Sequence, residues 1–174
     1  MVTDQPSMSV AVIDTSPLVV LAKVGRLDLV LDGLGRFVVP TAVASEINAG
    51  PVHDPARLAL NAGRLGTPVP VEALARVLEW GLGAGETAVL SLAITQGALA
   101  ILDDREARRA AQALGVPVVG TLGIVLHAAR RGRVESPRVL VQALRDAGLR
   151  LDEKAISHAF QAILGEGSGQ AADG

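Results

Sequence analysis

The chain is 174 residues long with a formal net charge of −2, and it is 49% hydrophobic but only 2% aromatic, with no cysteine. That length suits one ordinary domain with a sizeable core, here built from Val, Leu, Ile and Ala. The missing cysteines exclude a disulfide framework, thiolate zinc sites and a thiol nucleophile, and so few rings argue against base-stacking platforms that grip single strands.

The opening MVTDQPSMSV carries neither a basic leader nor an apolar signal core. No run reaches the roughly 18 to 20 apolar residues needed to span a bilayer. A cytoplasmic protein with no membrane contact is expected. Acidic residues outnumber basic ones through residue 104, the balance reverses over 105–150, and acid prevails again at the end. Such asymmetry suits a cationic surface beside an anionic pocket, although arginine that merely solvates helices gives the same count.

In chain order, residues 10–13 (VAVI) read as a short, buried, β-branched strand that runs straight into Asp14. A helix should follow, with Ser16 as N-cap and Pro17 at the first helical position. RFVVP, residues 36–40, is a second strand, and Thr41 is expected to cap the helix TAVASEIN. HDPARLALNAG reads as helical, GTPVPV as extended and EALARVLEWG as helical again. Gly83 and Gly85 then precede an apolar helix from about 86 to 96. ALAIL, residues 98–102, is a third strand, and it too runs directly into acid, at Asp103 and Asp104. REARRAAQALG is an amphipathic helix, VPVV (116–119) a fourth strand, and Thr121 is read as the cap of LGIVLHAARRG. Ser136 and Pro137 open a further helix, DEKAISHAFQAILG is the last, and the closing GEGSGQAADG cannot build a core. Strands separated by helices of this length imply parallel pairing with helices on both sheet faces, an α/β class.

In open parallel sheets, functional groups gather beyond the carboxyl ends of the strands. Asp14, Asp103 and Asp104 fall there, and Glu46 and Glu86 are candidates for the same edge. Each has a plainer reading alone: a helix cap for Asp14 and for one of Asp103 and Asp104, a macrodipole partner for Glu86, a solvated helix charge for Glu46. Taken together, four or five carboxylates at one rim would repel one another strongly and need cations. Hard oxygen donors select Mg²⁺ or Mn²⁺, and such ions leave positions for phosphate oxygens and an attacking water, the requirement of metal-assisted phosphodiester hydrolysis.

The blocks VIDTSPLVVLAKVGRLDLV, FVVPTAVASEI, LGAGETAVLSLA and AILDDREARRAAQALGVPVVGTLGIVLHAARRG, in that order, resemble the PIN domain family, and more narrowly the VapC-like (virulence-associated protein C) toxins. The resemblance implies a three-layer α/β/α sandwich with a small parallel sheet and a Mg²⁺- or Mn²⁺-dependent endoribonuclease acting through metal-activated water. It assigns catalytic places to Asp14, Glu46, Glu86 and one of Asp103 and Asp104, both of which stay candidates. The metal ligands implied are Asp14, Glu86, Asp103 and Asp104, with Ser16 and Thr121 in support. An RNA substrate, a cognate antitoxin reaching the carboxylates with Arg or Lys, and a homodimer are implied partners.

Arg105, Arg108, Arg109, Arg130, Arg131 and Arg133 are candidates for RNA phosphates. His127 reads as a packed or rim residue, and Trp80 as a helix-end packing residue that becomes a partner contact if exposed. The organisation expected is an N-terminal tail (1–8), a nuclease domain (9–135), a C-terminal helical extension packed on it (136–165) and a disordered tail (166–174). A PIN-like module that binds a partner without cleaving remains the alternative. A response-regulator receiver, wanting a phosphorylatable Asp on a middle strand and a late Lys, and a haloacid-dehalogenase-type phosphatase, wanting Asp where Ser16 stands, are disfavoured.

Overall fold

A computed structural model describes residues 10–165; the expectations for tails at 1–8 and 166–174 lie outside the described residues. Along the chain run β1 (Ala11–Ile13), α1 (Thr15–Lys23), α2 (Asp28–Leu31), β2 (Phe37–Val38), α3 (Thr41–Ala49), α4 (Pro55–Asn61) and α5 (Ala75–Leu78). There follow α6 (Ala84–Gln96), β3 (Leu99–Ile101), α7 (Arg105–Ala113), β4 (Val118–Val119), α8 (Thr121–Arg130), α9 (Pro137–Asp146) and α10 (Glu153–Leu164).

The four expected strands form one parallel sheet in the order β2-β1-β3-β4. Helices cover it in a layered α/β/α arrangement, and no described helix is long and apolar enough to cross a membrane. From β1 the chain moves outward to β2, then crosses back over β1 to β3. That reversal puts the topological switch point between β1 and β3, the place where open α/β sheets hold ligands.

The core follows from composition. With almost no rings available, Ile13, Leu18, Leu21, Leu90, Ile101 and Leu126 fill it, each fully buried. Alanine allows close approach: α7 turns Ala107, Ala110 and Ala111 inward at helical spacing, all without exposure, beneath arginines on its outer face. The last two helices belong to the same core. Both α9 and α10 pack on α8, with Val141, Leu144 and Phe160 buried, and the Arg138 guanidinium lies 4.4 Å from the Phe160 ring centre.

Three expected caps are corrected. Ser16, Thr41 and Thr121 lie inside their helices, whose N-cap residues are Asp14, Pro40 and Gly120. β1 and β4 each pass to the next helix through a single residue, and in α3 and α8 another group takes the exposed N–H. The Val69 carbonyl accepts from the Thr41 N–H at 2.9 Å, and the Asp103 carboxylate accepts from that of Thr121. Pro17 is tolerated at the third helical position because that N–H lacks an intrahelical partner in any case. The helix expected over EALARVLEWG shrinks to α5, since the Leu74 N–H is drawn to Ser91 Oγ at 3.1 Å, and α2 had no counterpart among the expected elements.

Candidate metal and phosphodiester site

The sheet register builds the site. Ile13 pairs with Ile101, and Ile101 with Val119, so the residues after β1, β3 and β4 emerge side by side. Those residues are Asp14, Leu102–Asp103 and Gly120–Thr121. The Asp14 N–H donates to the Ile101 carbonyl at 3.1 Å, which anchors the first acid at the switch point.

Asp14 is only 5% exposed, and its Oδ1 has no hydrogen-bond partner. It occupies the N-cap position of α1, yet its side chain makes no capping bond. Burial pushes its carboxyl from 3.8 up to about 7; the Thr15 N–H works against the shift, and the charges of Glu86, Glu46 and Asp103 add to it. An oxygen so placed is costly to leave alone, since a buried polar atom without a partner sacrifices its hydration.

The neighbouring acids are held by donors. Asp103 Oδ1 accepts from the Thr121 N–H and Oδ2 from the Thr121 hydroxyl, both at 2.7 Å, with the Ser16 hydroxyl at a long 3.5 Å. Burial raises its carboxyl too, and Thr121, Arg108 and Ser16 oppose the rise. Glu86 Oε2 reaches back to the Gly83 N–H at 3.0 Å across the first turn of α6; burial raises this half-buried carboxyl, Gly83 lowers it, and Asp104 and Glu46 push it further up. Glu46, exposed on α3, accepts from the Gly85 N–H at 2.9 Å and from the Thr15 hydroxyl. Asp104 is exposed and caps α7 by accepting from the Ala107 N–H at 2.9 Å. Thus the adjacent aspartates divide: Asp104 takes the cap, and Asp103 turns inward.

Asp14, Ser16, Glu86, Asp103 and Asp104 line one cavity of about 500 Å³, and Glu46 lines an adjoining one of about 460 Å³ with Asp14, Thr15 and Glu86. Of the arginines, Arg105 lines the acidic cavity, while Arg108 and Arg109 line the groove beyond it. Arg130 and Arg131 do not join them. They face a separate cavity with His127 and Arg133, and Arg133 is tied to the Asp28 carbonyl at 3.4 Å. His127 is an exposed rim residue; Trp80 is 38% exposed beside Leu78 at 57%.

The residues suit a hard divalent cation. All the donors are carboxylate or hydroxyl oxygens, and Asp14 Oδ1 is a buried oxygen that a cation would satisfy. Among the described residues no three acids already stand as a closed cation-holding group, because each flanking carboxylate is turned toward its own N–H or hydroxyl donor. Mg²⁺ does not demand such a cage, since it takes one or two carboxylates and keeps several waters.

Four residues escaped the sequence reading. Thr15 fixes Glu46, and its signal was its place between Asp14 and Ser16. Gly85 is small because Glu46 lies against it: a Cβ there would sit 2.6 Å from Glu46 Oε2. A Cβ at Gly120 would meet Arg108 Nη1 at 2.5 Å and Asp103 Oδ1 at 3.0 Å. Arg150, brought in by the turn between α9 and α10, lines the acidic cavity with Arg105.

Comparison with protein families matches residues 10–164 to the model described as DUF3368, a PIN domain. Among solved structures the chain is similar to the crystal structure of PAE2754 from Pyrobaculum aerophilum, at 16% identity over 78% of this chain and 96% of that one, with a TM-score of 0.45. No curated protein matches it. A match running from β1 through α10 takes in the acidic edge and the last two helices alike, and by it the chain belongs to the DUF3368 family of PIN domains, a fold that commonly carries metal-dependent nuclease activity.

Proposed function

We propose that this chain is a Mg²⁺- or Mn²⁺-dependent endoribonuclease and the toxin of a type II toxin–antitoxin pair. One observation carries the catalytic part: a buried, unpartnered Asp14 oxygen at the switch point, beside Glu86, Asp103 and Asp104. Asp14, Glu86 and Asp103 would hold the cation, with Asp104, the cap of α7, at the rim of the same cavity. A bound divalent ion supplies Lewis-acid polarisation of phosphate oxygens and brings the acidity of a bound water toward neutrality.

The chain's own contribution is position. The Ile101 carbonyl anchors the Asp14 backbone, Thr121 and Ser16 orient Asp103, and Thr15 with the Gly85 N–H aims Glu46 at the same rim. Such support keeps the carboxylates in place at the moment of reaction, which is where a site of this kind gains its rate. RNA as substrate, the antitoxin and a homodimer are inferred from the resemblance of the four ordered blocks to VapC-like toxins. An antitoxin Arg or Lys placed among the acids would compete with the cation, and exposed Trp80 and Leu78 offer an apolar contact to a partner.

The test is RNA cleavage by the purified chain in Mg²⁺ or Mn²⁺, in chelator, and by Asp14→Asn. Cleavage that needs the ion and disappears in the variant supports the proposal. Equal cleavage by Asp14→Asn would place the chemistry elsewhere, and no turnover with either ion would leave the partner-binding module.

A further inference from the structure

Past the acidic cavity the surface changes sign. A groove of about 580 Å³ runs between α7, the start of α8 and α10, walled by Arg105, Arg108, Arg109 and Arg150. It shares Asp103, Arg105 and Arg150 with the acidic cavity, so the two are continuous. Its two acids are engaged, Asp103 by Thr121 and Asp152 by the Ala155 N–H at 2.6 Å, where it caps α10.

The four arginines are not equivalent. Arg109 pairs with Glu106 on its own helix at 3.1 Å, and Arg108 donates to the Leu102 carbonyl at 3.3 Å. Arg105 and Arg150 are exposed and have no hydrogen-bond or ion-pair partner among the described residues. Both stand where the acidic cavity opens into the groove. Arg150 is held there by its neighbours: Gly148 adopts φ 114, which favours glycine, and Leu149 is 4% exposed with its N–H on the Leu144 carbonyl at 2.9 Å. The turn is pinned to the core and presents a guanidinium at the edge of the acidic cavity with no hydrogen-bond or ion-pair partner among the described residues.

A polyanion is the ligand that this layout fits. A cation on the acids would meet one phosphate, and the next phosphate along the strand needs positive charge of the protein's own. Guanidinium supplies it with planar, bidentate donors. We propose that Arg105 and Arg150 clamp the RNA phosphate adjoining the scissile one, and that the strand runs on along the arginine groove; this rests on the nuclease reading above. None of Phe37, Trp80 and Phe160 lines the groove, so the contact is to backbone and tolerates sequence.

The experiment measures binding of a short fluorescein-labelled oligouridylate to Asp14→Asn in chelator, with salt varied between about 50 and 200 mM. For single strands, each phosphate contact adds about 0.7 to the slope of log affinity against log salt. Arg105→Gln and Arg150→Gln, added together to Asp14→Asn, should lower that slope by about 0.7, and either one alone should lower it by less. The Lys variants should restore it, and Arg64→Gln, in the exposed turn after α4, should leave it unchanged. In wild type, Arg150→Gln should raise KM with kcat little changed. Melting curves confirm folding, and Arg105→Gln removes a cation from a helix N-terminus, which does not weaken the helix. Slopes that ignore both variants, slopes that fall instead with Arg130→Gln or Arg131→Gln, or no binding at low salt would overturn the clamp. Because binding is read without turnover, a wild type that cleaves no RNA sinks the nuclease reading separately.

Discussion

Replacing Asp14 by Asn should stabilise the metal-free protein at alkaline pH. The carboxyl sits at about 7 in the folded chain against 3.8 for an exposed aspartate, chiefly because it is buried. The folded state therefore holds its proton more tightly than the unfolded state does. Below 3.8 both states carry the proton and no stability is lost; as pH rises from 3.8 to about 7 the unfolded chain ionises first, and stability falls. Each pH unit in that window is worth about 1.4 kcal/mol, so ionised Asp14 costs on the order of 4 kcal/mol above neutral pH. Asn removes the charge but leaves amide atoms in a place without partners, which takes back about 1 to 3 kcal/mol. The net expectation at pH 8 in chelator is a gain of about 1 to 3 kcal/mol, or roughly 2 to 12 °C in Tm for a chain of this size. At pH 4 the gain should vanish or reverse. Urea or thermal unfolding of both proteins across pH 4 to 8 reads it directly, and a variant equally destabilised at both ends of that range would refute a buried, costly charge at Asp14.

The neighbouring residues give further tests. Mg²⁺ or Mn²⁺ at about a hundred times its Kd should add roughly 2.7 kcal/mol, a Tm rise of about 5 to 11 °C, and Asp14→Asn should abolish the rise in calorimetric scans. Gly85→Ala should drive its new Cβ into the Glu46 carboxylate, which can swing aside; RNA cleavage should fall at least about tenfold while Tm moves by only a few degrees. Thr121→Val should cost about 1 to 3 kcal/mol by stripping a donor from Asp103, and Thr121→Ser should recover most of it in urea titrations. Leu90→Ala, in the fully buried face of α6, should cost about 2 to 5 kcal/mol with the metal response intact.

Much of this architecture was legible because two short apolar runs ended abruptly in acid. Once VAVI and ALAIL are read as buried parallel strands, their last residues share one edge, and Asp14 and Asp103 must meet there; the Ile13–Ile101 register is that inference in atoms. The helix starts were misread for a local reason. Thr and Ser after a strand look like caps, but the chain turns one or two residues earlier, and the hydroxyls of Thr15, Ser16 and Thr121 are thereby released to hold Glu46 and Asp103. Whether Asp103 or Asp104 faces inward depends on one peptide's orientation, which no pattern of residue types records. Arg130 and Arg131 were grouped with Arg105 by charge alone. They part company because α8 carries its C-terminal end away from the edge where its N-terminal Thr121 meets Asp103. Arg150 went unseen because its position depends on how the turn after α9 is pinned to the core.

Hydrolysis at this sheet edge requires a divalent cation seated against Asp14. An anomalous difference map from crystals grown in Mn²⁺ tests this most directly. The prediction is a peak at coordination distance from the Asp14 carboxylate, with Glu86 or Asp103 in its surroundings and lost in Asp14→Asn crystals. A peak bound elsewhere, or none at Mn²⁺ concentrations that support RNA cleavage, would contradict it.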